Sequence, residues 1–180
     1  MVLYFITNNK NKFEEAKAII DGNIQQLAIE LPEIQETDAK QVVKAKLIEA
    51  FNYKDTNLII EDTSLYLDCL KGLPGPLIKL FLKTIGAEGL VEITEKFQNS
   101  RAEAKTIIGY AKNRDQMEFF EGSISGAIVR PRGISGFGWD AIFKPDGQNQ
   151  TFAEMALAEK NTLSMRKIAF EKLRDFLKVI

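Results

Sequence analysis

Two adjacent carboxylates, Glu61 and Asp62, are the residues of this sequence best suited to chemistry. They follow three apolar residues, Leu58–Ile60, which predict a short buried strand. Neighbouring carboxylates at the end of a buried strand repel each other and lose hydration, so they need a cation or strong hydrogen-bond donors nearby. The end of a parallel strand is also where open α/β sheets bind ligands. The alternative is a strand that leaves the core through an acidic, solvated turn, and the pattern alone leaves both interpretations open.

A second polar segment, Thr7–Lys12, follows the apolar run Val2–Ile6. Asn11, with Glu14 three residues later, resembles a capping box that opens a helix. A turn from strand to helix presents backbone N–H groups that suit an anion, and Lys12 adds positive charge. An ordinary polar connector with a helix cap is the alternative interpretation.

Two further segments could contact a nucleotide. Phe137 and Trp139 flank a glycine and could stack on a nucleobase, although aromatic residues in tight turns also serve as core anchors. Lys160, Arg166 and Lys167 cluster near the start of the C-terminal helix, where positive charge opposes the helix dipole. An anionic ligand would offset that charge, and a solvated basic turn is the alternative.

The composition excludes several kinds of catalysis. The chain has 180 residues, a net charge of −1, no histidine and one cysteine, Cys69. Ser-His-Asp and Cys-His catalysis, His-ligated metals and a disulfide framework are therefore excluded. Acid–base chemistry must come from carboxylates, lysines, tyrosines or water, and hard oxygen ligands favour Mg²⁺. The apolar run at the start is too short for a signal peptide or a membrane span, so we predict a cytoplasmic protein. The net charge of −1 gives no overall attraction to nucleic acid or membranes, so we predict that it binds neither.

The elements that position these residues follow a βαβ rhythm, which predicts an α/β fold. Apolar patterning predicts strands at Val2–Ile6, Ile24–Leu31 and Leu58–Ile60, a hairpin of Ala102–Tyr110 and Met117–Val129, and helices from Asn11 to about Ile20, Asp38 to about Tyr53, Leu77–Ile85, Leu90–Phe97 and Asn161–Ile180. Gly122 and Gly126 predict a bend or bulge in the second strand of the hairpin. No linker or change of composition divides the chain, so residues 1–180 are predicted to form one domain whose two lobes share a sheet.

Taken together and in this order, the motifs resemble the inosine triphosphate pyrophosphatase family. The matching segments are Thr7–Lys12, Leu31–Glu33, Glu61–Thr63, Gly72–Pro76 with Lys79, Pro131–Gly133, Gly136–Asp140, Pro145–Gly147, Thr151–Met155, and Glu159–Asn161 with Ser164 and Arg166. The resemblance implies an elongated two-lobed mixed sheet flanked by helices, a nucleotide cleft between the lobes, and a homodimer. It also implies hydrolysis of deaminated purine nucleoside triphosphates (ITP, dITP and XTP) to monophosphate and pyrophosphate, which cleans the nucleotide pool. The implied metal is Mg²⁺, with Mn²⁺ as a substitute.

The resemblance implies roles for individual residues as well. The triphosphate and its surroundings would contact Thr7, Asn8, Asn9, Lys12, Lys44, Thr63 and Lys79; the metal would contact Glu33 and Asp62, with Glu61 close by; and the base and ribose would contact Phe137, Gly138, Trp139, Asp140, Lys160, Met165 and Arg166. Asp62 would act as the base that orients or deprotonates the attacking water. Lys12 would be the second catalytic residue.

The chain departs from the family pattern at two positions. Asn8 stands where the family usually has glycine, and asparagine tolerates a positive φ better than most residues. Met165 stands where the family usually has histidine, and methionine cannot donate a hydrogen bond to a 6-keto group. Two alternatives therefore stay open: a pyrophosphohydrolase with altered base preference, and a protein that binds nucleotides without turnover. The retained carboxylates argue against the second, because a pure binding protein has little use for them.

Overall fold

A computed structural model describes residues 2–20 and 22–180, and it is built around one seven-stranded sheet. The strands are β1 (Val2–Ile6), β2 (Asn23–Leu27), β3 (Leu58–Leu67), β4 (Pro74–Gly75), β5 (Arg101–Asn113), β6 (Gln116–Ile128) and β7 (Phe143–Pro145). The helices are α1 (Lys10–Ile19), α2 (Ala39–Ala50), α3 (Ile78–Thr84), α4 (Gly86–Lys96), α5 (Leu157–Leu163) and α6 (Met165–Leu177). The strand order is β2-β1-β3-β5-β6-β7, and β4 pairs with β3.

The sheet is mixed, which confirms the predicted fold class. Strand β1 lies parallel to β2 and to β3, and the helices α1 and α2 make the connections that parallel neighbours require. The remaining pairs are antiparallel, and β5 with β6 forms the long hairpin that the sequence predicts.

Three apolar clusters define two lobes. In the first lobe, one face of the sheet packs on α1 and α6 through residues such as Phe5 and Phe170, and the other packs on α2 through residues such as Leu47. The second lobe gathers the far end of β3 with α3, α4 and β7, around residues such as Leu67 and Phe143. No helix in the described part of the chain is both long enough and apolar enough to span a membrane.

Strand β3 is longer than its apolar pattern predicts. It continues past Ile60 to Leu67, so Glu61 and Asp62 lie inside the strand and not beyond its end. The continuation is held by antiparallel pairing with β5 along its whole length. It therefore runs from the first lobe into the second and carries polar side chains to the region between them.

The C-terminal segment also differs from the prediction of one helix. Ser164 ends α5 and caps α6, with its Oγ accepting from the backbone N–H of Lys167 at 3.2 Å. The start of α6 lies directly against β6. The approach is so close that a Cβ atom on Gly122 would collide with the carbonyl oxygen of Met165. Gly122 thus permits a close approach, in place of the predicted bulge, and the register irregularity of the hairpin lies at Ala111 and Asn113.

Candidate active site

A cleft of about 750 Å³ is lined by residues of both lobes. Most of the predicted site residues line it, namely Thr7, Asn8, Asn9, Lys12, Glu33, Glu61, Thr63, Lys79, Phe137, Gly138, Trp139, Asp140, Lys160, Met165 and Arg166. Of the predicted site residues, Asp62 and Lys44 are not among the lining residues.

The loop between β1 and α1 forms one wall of the cleft. Asn9 caps α1 in place of the expected Asn11, since its Oδ1 accepts from the backbone N–H groups of Asn11 (2.9 Å) and Lys12 (3.2 Å). The Asn9 N–H in turn donates to Thr7 Oγ1 at 3.1 Å. Asn8 is not among the described residues with a positive φ, so asparagine replaces the usual glycine there without backbone strain.

The alternation of side chains along β3 separates the two adjacent carboxylates. Glu61 and Thr63 face the cleft, whereas Asp62 points to the opposite face of the strand. Two oxygens of Glu61 accept from Arg166, Nε at 2.8 Å and Nη2 at 3.1 Å, and Oε1 also lies 2.9 Å from Lys12 Nζ. Thr63 Oγ1 donates to the same Oε1 at 2.9 Å.

These partners decide the charge state of Glu61. Burial alone would raise the pKa of its carboxyl, but the charges and hydrogen bonds of Arg166 and Lys12 outweigh it and hold the pKa far below its usual range. A carboxylate so fully supplied with donors has little capacity left for a metal ion. The geometry gives Glu61 the role of an anchor for Lys12 and Arg166, and its metal contact stays a prediction.

Arg166 ties together three elements of the first lobe. Its side chain is 2% exposed. Nη1 donates to Glu15 Oε2 of α1 at 2.7 Å, and Nε and Nη2 donate to Glu61 of β3. Burial opposes the charged guanidinium, but the two glutamates outweigh that effect and raise the pKa of Arg166. Every nitrogen of the guanidinium already donates to a glutamate, so fewer donors are left for a base than the resemblance implies.

Glu15 is a site residue that the sequence analysis missed. It lies three residues after Lys12 in α1, a spacing that places both side chains on one face of the helix. That spacing is the signal that could have identified it.

A second charged cluster links Asp62 to residues of other elements that line the cleft. Lys46 Nζ of α2 lies 2.7 Å from Glu33 Oε2 and 3.2 Å from Asp62 Oδ1. Lys79 Nζ lies 3.1 Å from the same Glu33 oxygen, and Ser64 Oγ donates to Asp62 Oδ2 at 3.0 Å. Burial would raise the pKa of Glu33, but the hydrogen bond and charge of Lys46, with help from Lys79, hold it below the usual range.

Lys46 takes the position that the sequence analysis expected for Lys44. Lys44 is exposed on α2, whereas Lys46 is buried and lines the cleft. The physical reason is helical rotation, because two residues turn a helix by about 200° and so point to opposite sides. The basic residues of α2 were visible in the sequence, but its weak amphipathic pattern did not show which one faces inward.

The opposite part of the cleft is aromatic and contains a buried ion pair. Asp140 Oδ2 accepts from Lys160 Nζ at 2.6 Å and from the backbone N–H of Phe137 at 2.9 Å. Trp139 is 6% exposed and packs edge-on against Phe143, so it serves as a core anchor whose edge reaches the cleft. Phe137, in contrast, is 42% exposed and leaves a ring available to a ligand.

Glu33 and Asp62 are the residues that could hold a cation together. They share one ammonium group, which shows that an oxygen of each can face the same positive charge. Within the described residues, no group of three or more Asp, Glu, Cys or His side chains is arranged to hold a metal. A metal here would therefore need further oxygen ligands from water or from a bound phosphate.

Comparison with known proteins places this cleft in a family. The family model described as the Ham1 family matches residues 3–176. The chain is 38% identical to the inosine triphosphate pyrophosphatase of Kluyveromyces lactis, over 97% of this chain and 95% of that protein. It is 42% identical to the inosine triphosphate pyrophosphatase of Emericella nidulans, over 96% of this chain and 94% of that protein.

A solved structure shows the same fold. The HAM1 protein from Coxiella burnetii superposes with a TM-score of 0.87 and 23% identity, covering 100% of both chains. The family model and the relatives each extend over nearly the full length, and they span both walls of the cleft. The chain belongs to the Ham1 family.

Proposed function

We propose that this protein hydrolyses nucleoside triphosphates with deaminated purine bases (ITP, dITP and XTP) to the monophosphate and pyrophosphate, and so removes them from the nucleotide pool. The observation that carries the proposal is one cleft that joins a cluster of lysines and carboxylates to an aromatic surface. Lys12, Lys46 and Lys79 supply positive charge for a triphosphate, and Phe137 supplies a ring for a base. The relatives named inosine triphosphate pyrophosphatase support the same substrate class.

We propose Mg²⁺ as the metal, with Mn²⁺ as a substitute. Glu33 and Asp62 fit it, because their hard oxygens converge and Mg²⁺ is usually held by one or two carboxylates together with substrate phosphates. When bound, the ion would neutralise charge on the phosphates as a Lewis acid. Glu61 would contribute indirectly, by fixing Lys12 next to the loop between β1 and α1 that would contact the phosphates.

Asp62 is the proposed base. The water oxygen attacks the α-phosphorus, the bond from that phosphorus to the α,β-bridging oxygen breaks, and pyrophosphate leaves with the bridging oxygen. Asp62 accepts the proton that the water loses. Ser64 donates to one carboxylate oxygen of Asp62, which restricts its rotation and orients it for this role.

A changed base preference is the alternative that a specific observation favours. Met165 lines the cleft, is 2% exposed, and belongs to the apolar cluster of the second lobe. It presents no donor to a 6-keto group, and Arg166 is largely occupied by glutamates. We therefore propose that ITP and XTP are preferred over ATP by a smaller margin than a histidine at position 165 would give.

Pyrophosphate release from a panel of ITP, dITP, XTP, GTP, ATP, CTP and UTP tests the proposal. Highest kcat/KM for ITP, dITP and XTP supports it. A pyrimidine nucleotide at the top would select the altered-preference alternative. Tight binding of nucleotides without any pyrophosphate release would select the binding protein.

We also propose that the protein acts as a homodimer, as the family resemblance implies, and that it is cytoplasmic. Light scattering coupled to size-exclusion chromatography tests the assembly, and a mass of one chain at working concentration would contradict it. Fractionation of the source cells tests the location.

A further inference from the structure

Lys46 places its ammonium between the two carboxylates that the proposed function assigns to the metal. Its Nζ lies 2.7 Å from Glu33 Oε2 and 3.2 Å from Asp62 Oδ1. The side chains of Lys46 and Asp62 are 10% and 7% exposed, so this contact is largely shielded from water. An ammonium in this position meets the same electrostatic need as a divalent cation, because the two carboxylates would otherwise repel each other.

The charges of the cluster balance without any metal. The two positive charges of Lys46 and Lys79 offset the two negative charges of Glu33 and Asp62. The four groups form a chain of contacts, from Lys79 to Glu33, from Glu33 to Lys46 and from Lys46 to Asp62. A divalent cation that arrived alone would add two positive charges that nothing in this cluster compensates. A triphosphate brings the missing negative charge, so the cation is better tolerated when it arrives with a nucleotide.

We propose that Lys46 is an internal counter-ion that occupies the metal position in the nucleotide-free protein and moves to the triphosphate when metal and nucleotide enter. This inference rests on the proposed function, because it takes Glu33 and Asp62 as the metal-binding pair. Metal binding is then weak without nucleotide, and each ligand strengthens the binding of the other by the same factor.

The side chain of Lys46 is suited to such a movement. Its stem is flexible, and the residue lines the cleft that would receive the phosphates. The backbone of α2 can therefore stay in place while the ammonium swings. Lys79 is a poorer candidate, since its side chain is 76% exposed and its carboxylate contact is with Glu33.

The first experiment measures Mn²⁺ binding to the nucleotide-free protein from the electron paramagnetic resonance signal of free Mn²⁺. Lys46→Gln should bind Mn²⁺ about tenfold tighter than the wild type or better, because it removes the cation that contacts both carboxylates and leaves Glu33 with Lys79 alone. Lys44→Gln is the matched control, since it removes the same charge from an exposed position of the same helix. Its Mn²⁺ affinity should equal that of the wild type.

Two further variants test whether misfolding or a wrongly assigned metal site could explain the result. Lys46→Arg keeps a cation between the carboxylates and should bind Mn²⁺ as weakly as the wild type. Lys46→Gln combined with Asp62→Asn should lose the gained affinity if Asp62 belongs to the metal pair. Circular dichroism and thermal unfolding verify that each variant is folded.

The second experiment repeats the titration with an ITP analogue whose α,β-bridging oxygen is a methylene group, after correction for Mn²⁺ bound by the analogue alone. The analogue should raise the Mn²⁺ affinity of the wild type strongly and that of Lys46→Gln much less. Equal or weaker Mn²⁺ binding by Lys46→Gln without nucleotide would overturn the counter-ion role. That result would leave the proposed function intact if the wild type still binds Mn²⁺ with the analogue. Absence of Mn²⁺ binding even with the analogue would contradict the metal site itself.

Discussion

At the scale of single residues, the adjacent carboxylates of β3 differ in their partners. Glu61 accepts from Arg166, Lys12 and Thr63, which together engage both of its oxygens. Among the described residues, Asp62 has one cationic partner, Lys46. The difference arises from the alternation of the strand, which points the two side chains to opposite faces. We therefore propose that Asp62 carries out the chemistry and that Glu61 supports the site.

Asp62→Asn should reduce turnover of ITP by at least about a hundredfold, because it removes both a base and a negative charge from the proposed metal pair. Nucleotide binding should survive in part. Steady-state pyrophosphate release and equilibrium binding measure the two effects separately. Asp68→Asn is the control, because Asp68 is exposed just beyond β3 and should retain full turnover. Normal turnover by Asp62→Asn would show that the base has been assigned to the wrong residue.

Met165→His should increase the preference for ITP over ATP by roughly tenfold, if one neutral hydrogen bond of ~1.4 kcal/mol is regained with the 6-keto oxygen. The measurement is the ratio of kcat/KM for ITP, XTP, GTP and ATP in both proteins. A ratio is insensitive to the fraction of active protein, which matters because Met165 is buried in an apolar cluster. Met165→Leu adds no donor and should keep the wild-type ratio. An unchanged or smaller ratio in the histidine variant means that position 165 does not read the base.

At the scale of elements, the buried ion pairs of Arg166 join α1, β3 and α6 beneath the cleft. Glu15 and Glu61 are contributed by the first two elements, and Arg166 lies in the first turn of the third. Removing one member of such a network leaves a buried charge without its partner, which typically costs about 3–5 kcal/mol. The network also fixes Lys12, so its loss should affect both stability and substrate binding.

Glu61→Gln should therefore lower the free energy of unfolding by about 3 kcal/mol at pH 7. The pKa of Glu61 is depressed in the folded state, so its stabilisation is present above the ordinary value of 4.5 and is lost as pH falls below it. The difference between wild type and variant should thus shrink progressively at pH below about 4.5. Urea unfolding of both proteins at several values between pH 3 and pH 8 measures this stability difference. The pH range spans the ordinary pKa of 4.5.

Glu14→Gln is the control for this experiment. Glu14 neighbours Glu15 in α1 but is exposed, so its replacement should change stability little at any pH. A difference between wild type and Glu61→Gln that stays constant across the acid range would contradict the charge-based account.

The sequence predicted the elements whose patterns are simple and missed those set by tertiary contacts. The βαβ unit and the β5–β6 hairpin follow from apolar runs and a polar turn, and both are confirmed. The length of β3 could not be predicted, because its polar half is stabilised by pairing with β5 and by distant cations. The break at Ser164 was hidden because apolar and basic residues continue on both sides of it.

At the scale of the whole molecule, the cleft brings together segments from nearly the full length of the chain. The family motifs identified most of its lining, although they could not show which lysine of α2 faces inward. That choice depends on the rotation of one helix against the sheet, and no local pattern records it. Neither does the sequence show that Arg166 is occupied by glutamates 105 and 151 residues away.

Activity should require Mg²⁺ or Mn²⁺ and should vanish in EDTA, because Glu33 and Asp62 offer hard oxygen ligands and the chain contains no histidine. Readdition of Mg²⁺ after chelation should restore pyrophosphate release, whereas Ca²⁺ or Zn²⁺ tests whether the ion's identity matters. Full activity in EDTA, or a requirement for Zn²⁺, would contradict the proposed chemistry.

The most direct test of the central claim is to let the protein hydrolyse ITP in ¹⁸O-labelled water with Mg²⁺ and to analyse the products by mass spectrometry. Attack of water on the α-phosphorus predicts IMP and pyrophosphate in equal amounts, with the ¹⁸O atom in IMP. The Asp62→Asn protein, purified in the same way, should produce at most about a hundredth as much of either product in the same time. Formation of IDP and phosphate, or ¹⁸O in pyrophosphate in place of IMP, would contradict the account.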